Sequence, residues 1–177
     1  ATTAAQTAIA ATSFESDGKG NWSFSGFTEL DPTSPTGRRS YRLTSSANNL
    51  TRSGLNSSQS YWVTYWKKAG SVTVNSGSGT AGRTVDGWTY FEHKVNNPAG
   101  GLITVSGSGA LIDELRVYPL LSQMTTYTYQ PLVGVTSKCD PNGRVTYFEY
   151  DNLGRLMLVR DQDKNILKQN SYLYWSQ

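Results

Sequence analysis

Short runs in which apolar and polar residues alternate recur along the first two thirds of the chain. Alternation with a period of two is typical of strands that bury one face. The stretches between the runs are rich in Gly, Ser and Asn, which favour turns and support helix poorly. The pattern predicts an all-β sandwich with strands in six runs: residues 40–44, 61–66, 71–74, 88–95, 102–105 and 111–118.

The sequence pattern changes after Tyr118-Pro119, because the remaining residues repeat at a regular spacing. Tyr129, Tyr150 and Tyr172 are spaced by 21 and 22 residues. A fixed period of this kind indicates repeated supersecondary units. We therefore expect two units along the chain, one over residues 1–119 and a smaller one over residues 120–177.

Each repeat contains a turn sequence. Residues 140–143 read Asp-Pro-Asn-Gly and residues 151–154 read Asp-Asn-Leu-Gly, and both predict hairpin turns. Each repeat should consist of two strands joined by such a turn. Fewer than three repeats rarely stand alone, since each buries its apolar side on a neighbour. The repeats should therefore pack on the first unit or belong to a longer array.

The run from Thr146 to Leu156, Thr-Tyr-Phe-Glu-Tyr-Asp-Asn-Leu-Gly-Arg-Leu, resembles the YD repeat of RHS-type proteins. The resemblance covers roughly residues 124–177. It departs at Tyr129-Gln130, which lacks the Asp, and at residues 163–165, where a turn Gly is expected. In that family many repeats coil into a hollow β shell, and the proteins are large, exported and bacterial. About two repeats cannot enclose a cargo, so the resemblance implies a secreted or cell-surface location more than an activity.

The first part of the chain resembles another family. The motifs are Ser13-Phe14-Glu15, Gly20-Asn21-Trp22, the strand of residues 61–67 and Leu-Ile-Asp-Glu-Leu at 111–115. In this order they resemble the jelly-roll carbohydrate-binding modules of bacterial xylanases and glucanases. The resemblance implies a jelly-roll β-sandwich and a structural calcium held between Glu15 and Asp113.

An aromatic strand supplies the candidate binding face. Side chains alternate across a strand, so Val63 marks a core face and Trp62 and Trp66 lie on the opposite, outer face. Flat indole rings exposed there could stack on sugar rings. The residues that could add hydrogen bonds to such a ligand are Arg42, Tyr90 and Glu92. The alternative is that the repeat unit covers both tryptophans.

Charge and composition narrow the function classes. The formal charge is +3, and the longest basic clusters are the dipeptides Arg38-Arg39 and Lys67-Lys68, so nucleic acid is not an expected partner. No apolar stretch is long enough to span a membrane, so no membrane insertion is expected. Cys139 is the only cysteine, which excludes an intramolecular disulfide.

Catalysis is not expected either. The only histidine, His93, lies in a strand pattern without a recognisable nucleophile or metal partner in the sequence. Glu92 and Glu114 could form a carboxylate pair for glycoside hydrolysis only if the fold brought them together. The sequence therefore predicts a non-catalytic extracellular module that recognises a glycan or polysaccharide by aromatic stacking. The alternative is a structural or adhesive module of a large RHS-like bacterial surface protein, which could dock another cell-surface protein.

Overall fold

A computed structural model describes residues 4–15 and 18–173. The fold is all-β, as predicted, and the described helices are three short 3-10 turns at Gln6–Ala8, Ser46–Asn48 and Ala99–Gly101. The chain divides into two units, Ala1–Met124 and Thr125–Gln177. We call them the sandwich unit and the repeat unit. The boundary lies five residues after the one expected from the sequence.

The sandwich unit is built from two antiparallel sheets. Seven strands form the larger sheet, in the order β2-β3-β10-β5-β8-β7 with β1 also paired to β10, and three form the smaller one, in the order β4-β9-β6. The strands are β1 Ala10–Thr12, β2 Thr28–Leu30, β3 Arg39–Leu43, β4 Leu50–Arg52, β5 Tyr61–Lys68, β6 Ser71–Val74, β7 Thr80–Val85, β8 Trp88–Val95, β9 Ile103–Ser108 and β10 Ala110–Pro119.

The two sheets share one core. On β5 the residues of the predicted core face, Tyr61, Val63 and Tyr65, have no exposed surface. They belong to the same buried cluster as Ile103 and Val105 from the smaller sheet. The assignment of the Val63 face to the core is therefore confirmed.

Strand β10 is the last strand of the sandwich unit in sequence and lies in the middle of the larger sheet. It pairs along one edge with β5, and along the other with β3 and then β1. The ladder with β5 shifts register between Asp113 and Arg116, where Glu114 has a φ of 53°. A bulge of this kind redirects side chains within a strand, and it places two neighbouring acids in the interior.

The repeat unit is a single antiparallel sheet with its five strands in sequence order. They are β11 Thr126–Gln130, β12 Gly134–Cys139, β13 Val145–Tyr150, β14 Leu156–Arg160 and β15 Ile166–Gln169. Turns join successive strands at the two predicted positions, so those two hairpins are confirmed.

All six predicted strand runs are confirmed. Their ends agree with the structure to within two residues, except that β9 extends three residues beyond the predicted end at residue 105. Four strands of the sandwich unit have no counterpart among them. Strands β1, β2 and β4 have three residues each, too few to show a period. Strand β7, Thr-Ala-Gly-Arg-Thr-Val, lacks the apolar alternation that marks a half-buried strand.

Candidate functional sites

The outer face of the larger sheet is covered at its centre. Trp66 has no exposed surface and lies in a second apolar cluster with Trp88, Tyr90 and Leu111. The ring centroids of Trp66 and Tyr90 are 5.5 Å apart. The exposed platform predicted for Trp62 and Trp66 is therefore wrong at Trp66, because a buried indole cannot stack on a ligand.

A polar turn closes one side of this second cluster. The indole nitrogen of Trp88 donates a hydrogen bond to Thr33 Oγ1 at 3.1 Å. Lys68 Nζ lies 5.7 Å from the Trp88 ring centroid and 3.2 Å from Asp31 Oδ2. Burial alone would raise the pKa of Asp31, but hydrogen bonds from Thr33 and the nearby Lys68 outweigh it and lower this pKa. The turn therefore positions the Lys68 ammonium group over the ring of Trp88.

The predicted hydrogen-bonding residues lie in three different environments. Arg42 makes a bidentate ion pair with Glu29, at 2.5 and 3.0 Å. Tyr90 is buried, whereas Glu92 and Trp62 are half-buried. Strands β3 and β8, which carry Arg42 and Glu92, are three strand spacings apart, about 14 Å. These side chains do not flank one exposed tryptophan pair as the sequence suggested.

The outer face also contains a buried arginine that sequence reasoning missed. Arg116 is fully buried, and its Nη2 donates to the hydroxyl of Tyr90 at 2.9 Å. Its Nε donates to Thr64 Oγ1 at 3.1 Å and its Nη1 to the Met124 carbonyl at 3.4 Å. Burial raises the pKa of Tyr90, so its hydroxyl stays neutral beside the guanidinium. The network ties the end of the sandwich unit to the outer face of its sheet.

Both predicted metal ligands bind one short segment, residues 36–39. Glu15 Oε1 accepts hydrogen bonds from the backbone nitrogens of Arg38 and Arg39, at 2.8 and 2.6 Å. Asp113 Oδ2 accepts from the backbone nitrogen of Thr36 at 2.8 Å. Gly37 is required between them, because its φ is +61° and a Cβ would lie 2.1 Å from Glu15 Cδ.

A second acid, Glu114, lies beside Asp113, and sequence reasoning did not connect the two. Thr36 Oγ1 is 2.9 Å from Asp113 Oδ2 and 3.1 Å from Glu114 Oε2. A hydroxyl has one proton, so Thr36 can donate to only one of the two carboxylates. Burial, and then the charge of Glu114, raise the pKa of Asp113 well above its usual range. The two acids are therefore most stable when a proton or a cation neutralises part of their charge.

Calcium fits this site in part. Carboxylate oxygens are the ligands that calcium prefers, and Asp113 is completely buried. Among the described residues, however, no group of three or more His, Cys, Asp or Glu side chains is placed to hold a metal ion. An ion beside Glu15 or Asp113 would take most of its remaining ligands from backbone carbonyls and water.

His93 lies in the interior of the sandwich unit. Its Nε2 is 2.7 Å from the hydroxyl of Tyr65, and burial lowers its pKa to about 4. The ring is therefore neutral at pH 7. Glu114, the other half of the carboxylate pair considered with Glu92, is buried against Thr36. The absence of catalysis stays a prediction.

Three turns of the repeat unit share one hydrogen-bonding pattern, led by Asp140, Asp151 and Asp161. In each, the Asp Oδ1 accepts from the backbone nitrogens two and four residues later, at 2.8 to 3.0 Å. The Asp backbone nitrogen donates to the carbonyl four residues later, at 2.9 to 3.0 Å. The Asp side chain thus accepts hydrogen bonds from backbone nitrogens that have no partner strand where the chain reverses. Hydrogen bonds from the Arg155 backbone and side chain lower the pKa of Asp151.

The two departures from the repeat pattern have different outcomes. Gly143 and Gly154 each have a φ of 74°, and Lys164 takes the equivalent position with a φ of 67°. Its Nζ lies 3.3 Å from the ring centroid of Tyr147, a cation–π contact that favours this conformation. At Gln130 no Asp is present, and the turn is closed by a bond from the Val133 nitrogen to the Gln130 carbonyl at 3.1 Å.

The tyrosine period also has a structural basis. Tyr150 donates its hydroxyl proton to the Val135 carbonyl and Tyr172 to the Leu156 carbonyl, each at 2.9 Å. Each bond joins the end of a hairpin to the start of its partner strand. Tyr129, the first of the three, is 64% exposed.

Residues 133–165 match the family model of the RHS repeat. The matched segment contains all three Asp-led turns and strands β12 to β14. It confirms the resemblance stated for the C-terminal part, while the jelly-roll resemblance of the first part stays a prediction. No curated protein is significantly similar to the chain. Within the described residues, no helix combines the length and apolar character needed to cross a membrane.

Proposed function

We propose that this chain is a non-catalytic structural and adhesive module of a large RHS-like protein on the bacterial cell surface. In this role the sandwich unit serves as a spacer or docks another surface protein. The observation that carries the proposal is the repeated Asp-led turn within the segment that matches the RHS repeat. RHS repeats are typical of large exported or cell-surface proteins.

Glycan recognition by the sandwich unit, the other predicted function, has less support. It required an exposed pair of tryptophans, and Trp66 is fully buried in a cluster with Trp88, Tyr90 and Leu111. What remains at the surface is one half-buried indole, Trp62, with the half-buried carboxylate of Glu92 two strand positions away.

The proposal is tested on intact cells of the source organism with an antibody raised against this chain. We expect the antibody to detect a protein much larger than 19.4 kDa that disappears when a protease is added to unbroken cells. A cytoplasmic marker protein provides the control for cell integrity. A protease-resistant band, or one near 19.4 kDa, would contradict the proposal.

We also propose that Glu15 and Asp113 help to hold a structural calcium ion. Support comes from the buried acids Asp113 and Glu114 and the single hydroxyl proton between them. Calcium should raise the melting temperature and a chelator should lower it, because an ion that binds only the folded state stabilises it. Asp113→Asn should abolish the calcium response. A wild-type melting curve that does not respond to calcium would contradict the site.

A further inference from the structure

The turn led by Asp140 contains the only Asn-Gly pair of the sequence, Asn142-Gly143. Asn142 is exposed, and Gly143 follows it with a φ of 74°. Asn is one of the thermally labile residues of proteins, because its side-chain amide carbon can close a succinimide ring with the backbone nitrogen of the next residue. A glycine in that next position leaves the approach open, since it has no Cβ. The pair therefore joins an accessible amide to the least hindered neighbour.

We propose that Asn142 is a site of deamidation, through a succinimide formed with Gly143. The backbone nitrogen of Gly143 loses its proton to water or hydroxide and bonds to the Cγ of Asn142. The carbon–nitrogen bond of the side-chain amide then breaks, and its nitrogen takes up a proton and leaves as ammonia. Water opens the ring at one of its two carbonyl carbons, which leaves either an aspartate or an isoaspartate at this position.

The hydrogen bonds of the turn control the rate of this reaction. The Gly143 nitrogen donates to the Asp140 carbonyl at 3.0 Å, so it has to give up this bond before it can attack. The Asn142 and Arg144 nitrogens donate to Asp140 Oδ1 at 2.8 and 2.9 Å and hold the same stretch of backbone. The ring therefore closes from an opened turn. Local opening costs much less free energy than global unfolding, so the reaction proceeds in the folded protein.

The turn led by Asp161 shows that an aspartate is tolerated at the reacting position. Asp163 takes the equivalent place there, and its backbone nitrogen donates to Asp161 Oδ1 at 3.0 Å, as the Asn142 nitrogen does to Asp140. The aspartate product therefore keeps the turn and lowers the formal charge of +3 by one. The isoaspartate product inserts a methylene into the main chain, which displaces the Arg144 nitrogen from Asp140 Oδ1.

The reaction changes the repeat unit with time. Opening of the ring by water does not restore the amide, so the modified fraction increases with the age of each molecule. An aged turn is more acidic in both products, and in the isoaspartate product it also loses a hydrogen bond. The chemistry goes beyond the proposed function, because it depends on the turn and not on where the parent protein lies.

The test is to incubate the whole folded chain at neutral and at mildly alkaline pH and to follow residue 142 by peptide mass spectrometry. We expect the mass increase of an amide-to-acid conversion at Asn142, with aspartate and isoaspartate both present. The rate should rise with pH, because the attacking nitrogen must lose its proton. No conversion, or conversion to aspartate alone at a rate independent of pH, would overturn the proposal.

Two controls identify the Asn-Gly pair as the reacting group. Asn152 lies in the turn led by Asp151 but precedes Leu153, whose side chain obstructs the attack, so it should stay unmodified over the same time. Asn142→Gln should abolish the conversion, since the longer side chain closes its ring far more slowly. Equal rates at Asn142 and Asn152 would overturn the assignment.

Variants of the turn acids test the control by hydrogen bonds. Asp140→Ala should accelerate conversion at Asn142 about five- to thirtyfold, because it removes the side-chain acceptor that keeps the turn closed. Asp140→Asn retains an acceptor and should accelerate it less. The matched control is Asp151→Ala, the same change in another turn, which should leave the rate at Asn142 unchanged. No acceleration in Asp140→Ala, or equal acceleration in Asp151→Ala, would overturn the route through the opened turn.

Discussion

The sandwich unit and the repeat unit achieve order by different means. The sandwich unit encloses large side chains between two sheets, with Tyr61, Tyr65 and Trp66 fully buried. The repeat unit is one sheet, and in it the same Asp-led turn recurs every 10 or 11 residues. Contacts in the first unit join distant parts of the sequence, whereas those in the second are local. Substitutions in the sandwich unit should therefore act through cavities, and those in the repeat unit through lost hydrogen bonds or backbone strain.

The largest effect is expected at Trp66. Trp66→Ala should destabilise the sandwich unit by about 3–5 kcal/mol, because it removes a fully buried aromatic side chain and leaves a cavity. Chemical denaturation followed by circular dichroism measures the loss. Trp62→Ala, on the same strand and face, is the matched control and should cost clearly less, since Trp62 is only half-buried. Equal losses would show that the outer face is not covered as described.

The next effect concerns pH and the buried His93. The unfolded state takes up a proton near the ordinary histidine pKa of about 6.5, whereas the folded state does so only near a pKa of about 4. The contribution of His93 to stability is therefore complete above pH 6.5 and is lost as the pH falls towards 4, a loss on the order of 2–3 kcal/mol. Denaturation midpoints at pH 7.5, 6, 5 and 4 measure it.

His93→Gln is the control, because an amide can accept the Tyr65 hydrogen bond without titrating. The variant should show a shallower decline with acid than the wild type. If both proteins lose stability in parallel between pH 6.5 and 4, His93 is not the titrating group.

In the repeat unit the expected losses are smaller. Asp140→Ala removes the carboxylate that accepts from the Asn142 and Arg144 nitrogens, and should cost about 1–2 kcal/mol. Amide hydrogen exchange should accelerate at residues 142 and 144 while the sandwich unit keeps its protection. Asp140→Asn retains an acceptor and should lose less, and Asn142→Ala should have little effect. Loss of protection throughout the chain would contradict the local character of the turn.

The smallest effects come from the backbone at the turns. Gly154→Ala should cost about 1 kcal/mol, because a side chain is strained at a φ of +74°. Lys164→Gly relieves similar strain at +67° but loses the contact with the Tyr147 ring, so its net effect should stay within about 0.5 kcal/mol of zero. Thermal melts of the two variants check the difference. A large loss for Lys164→Gly would mean that the cation–π contact dominates the turn.

The features that could be predicted from the sequence are those that local patterns determine. Strand β5 and the turns at Asp140 and Asp151 are local patterns, and each is confirmed. The burial of Trp66 depends on neighbours from other strands, Trp88, Tyr90 and Leu111, which a pattern within one strand cannot show. The family resemblance singled out Asp113 as a candidate metal ligand but not Glu114 beside it, because alternation puts neighbours on opposite faces and only the bulge at β10 overrides that rule.

The position of β10 has a consequence for synthesis. Chains fold as they emerge, and pairing between distant segments is slow because long loops must close first. The larger sheet cannot close until residues 110–119 are available, since β1, β3 and β5 all pair with β10. During translation, the edges of β1, β3 and β5 that pair with β10 stay without a partner until β10 has been synthesised. A chaperone that shields strand edges should therefore be needed most before β10 leaves the ribosome.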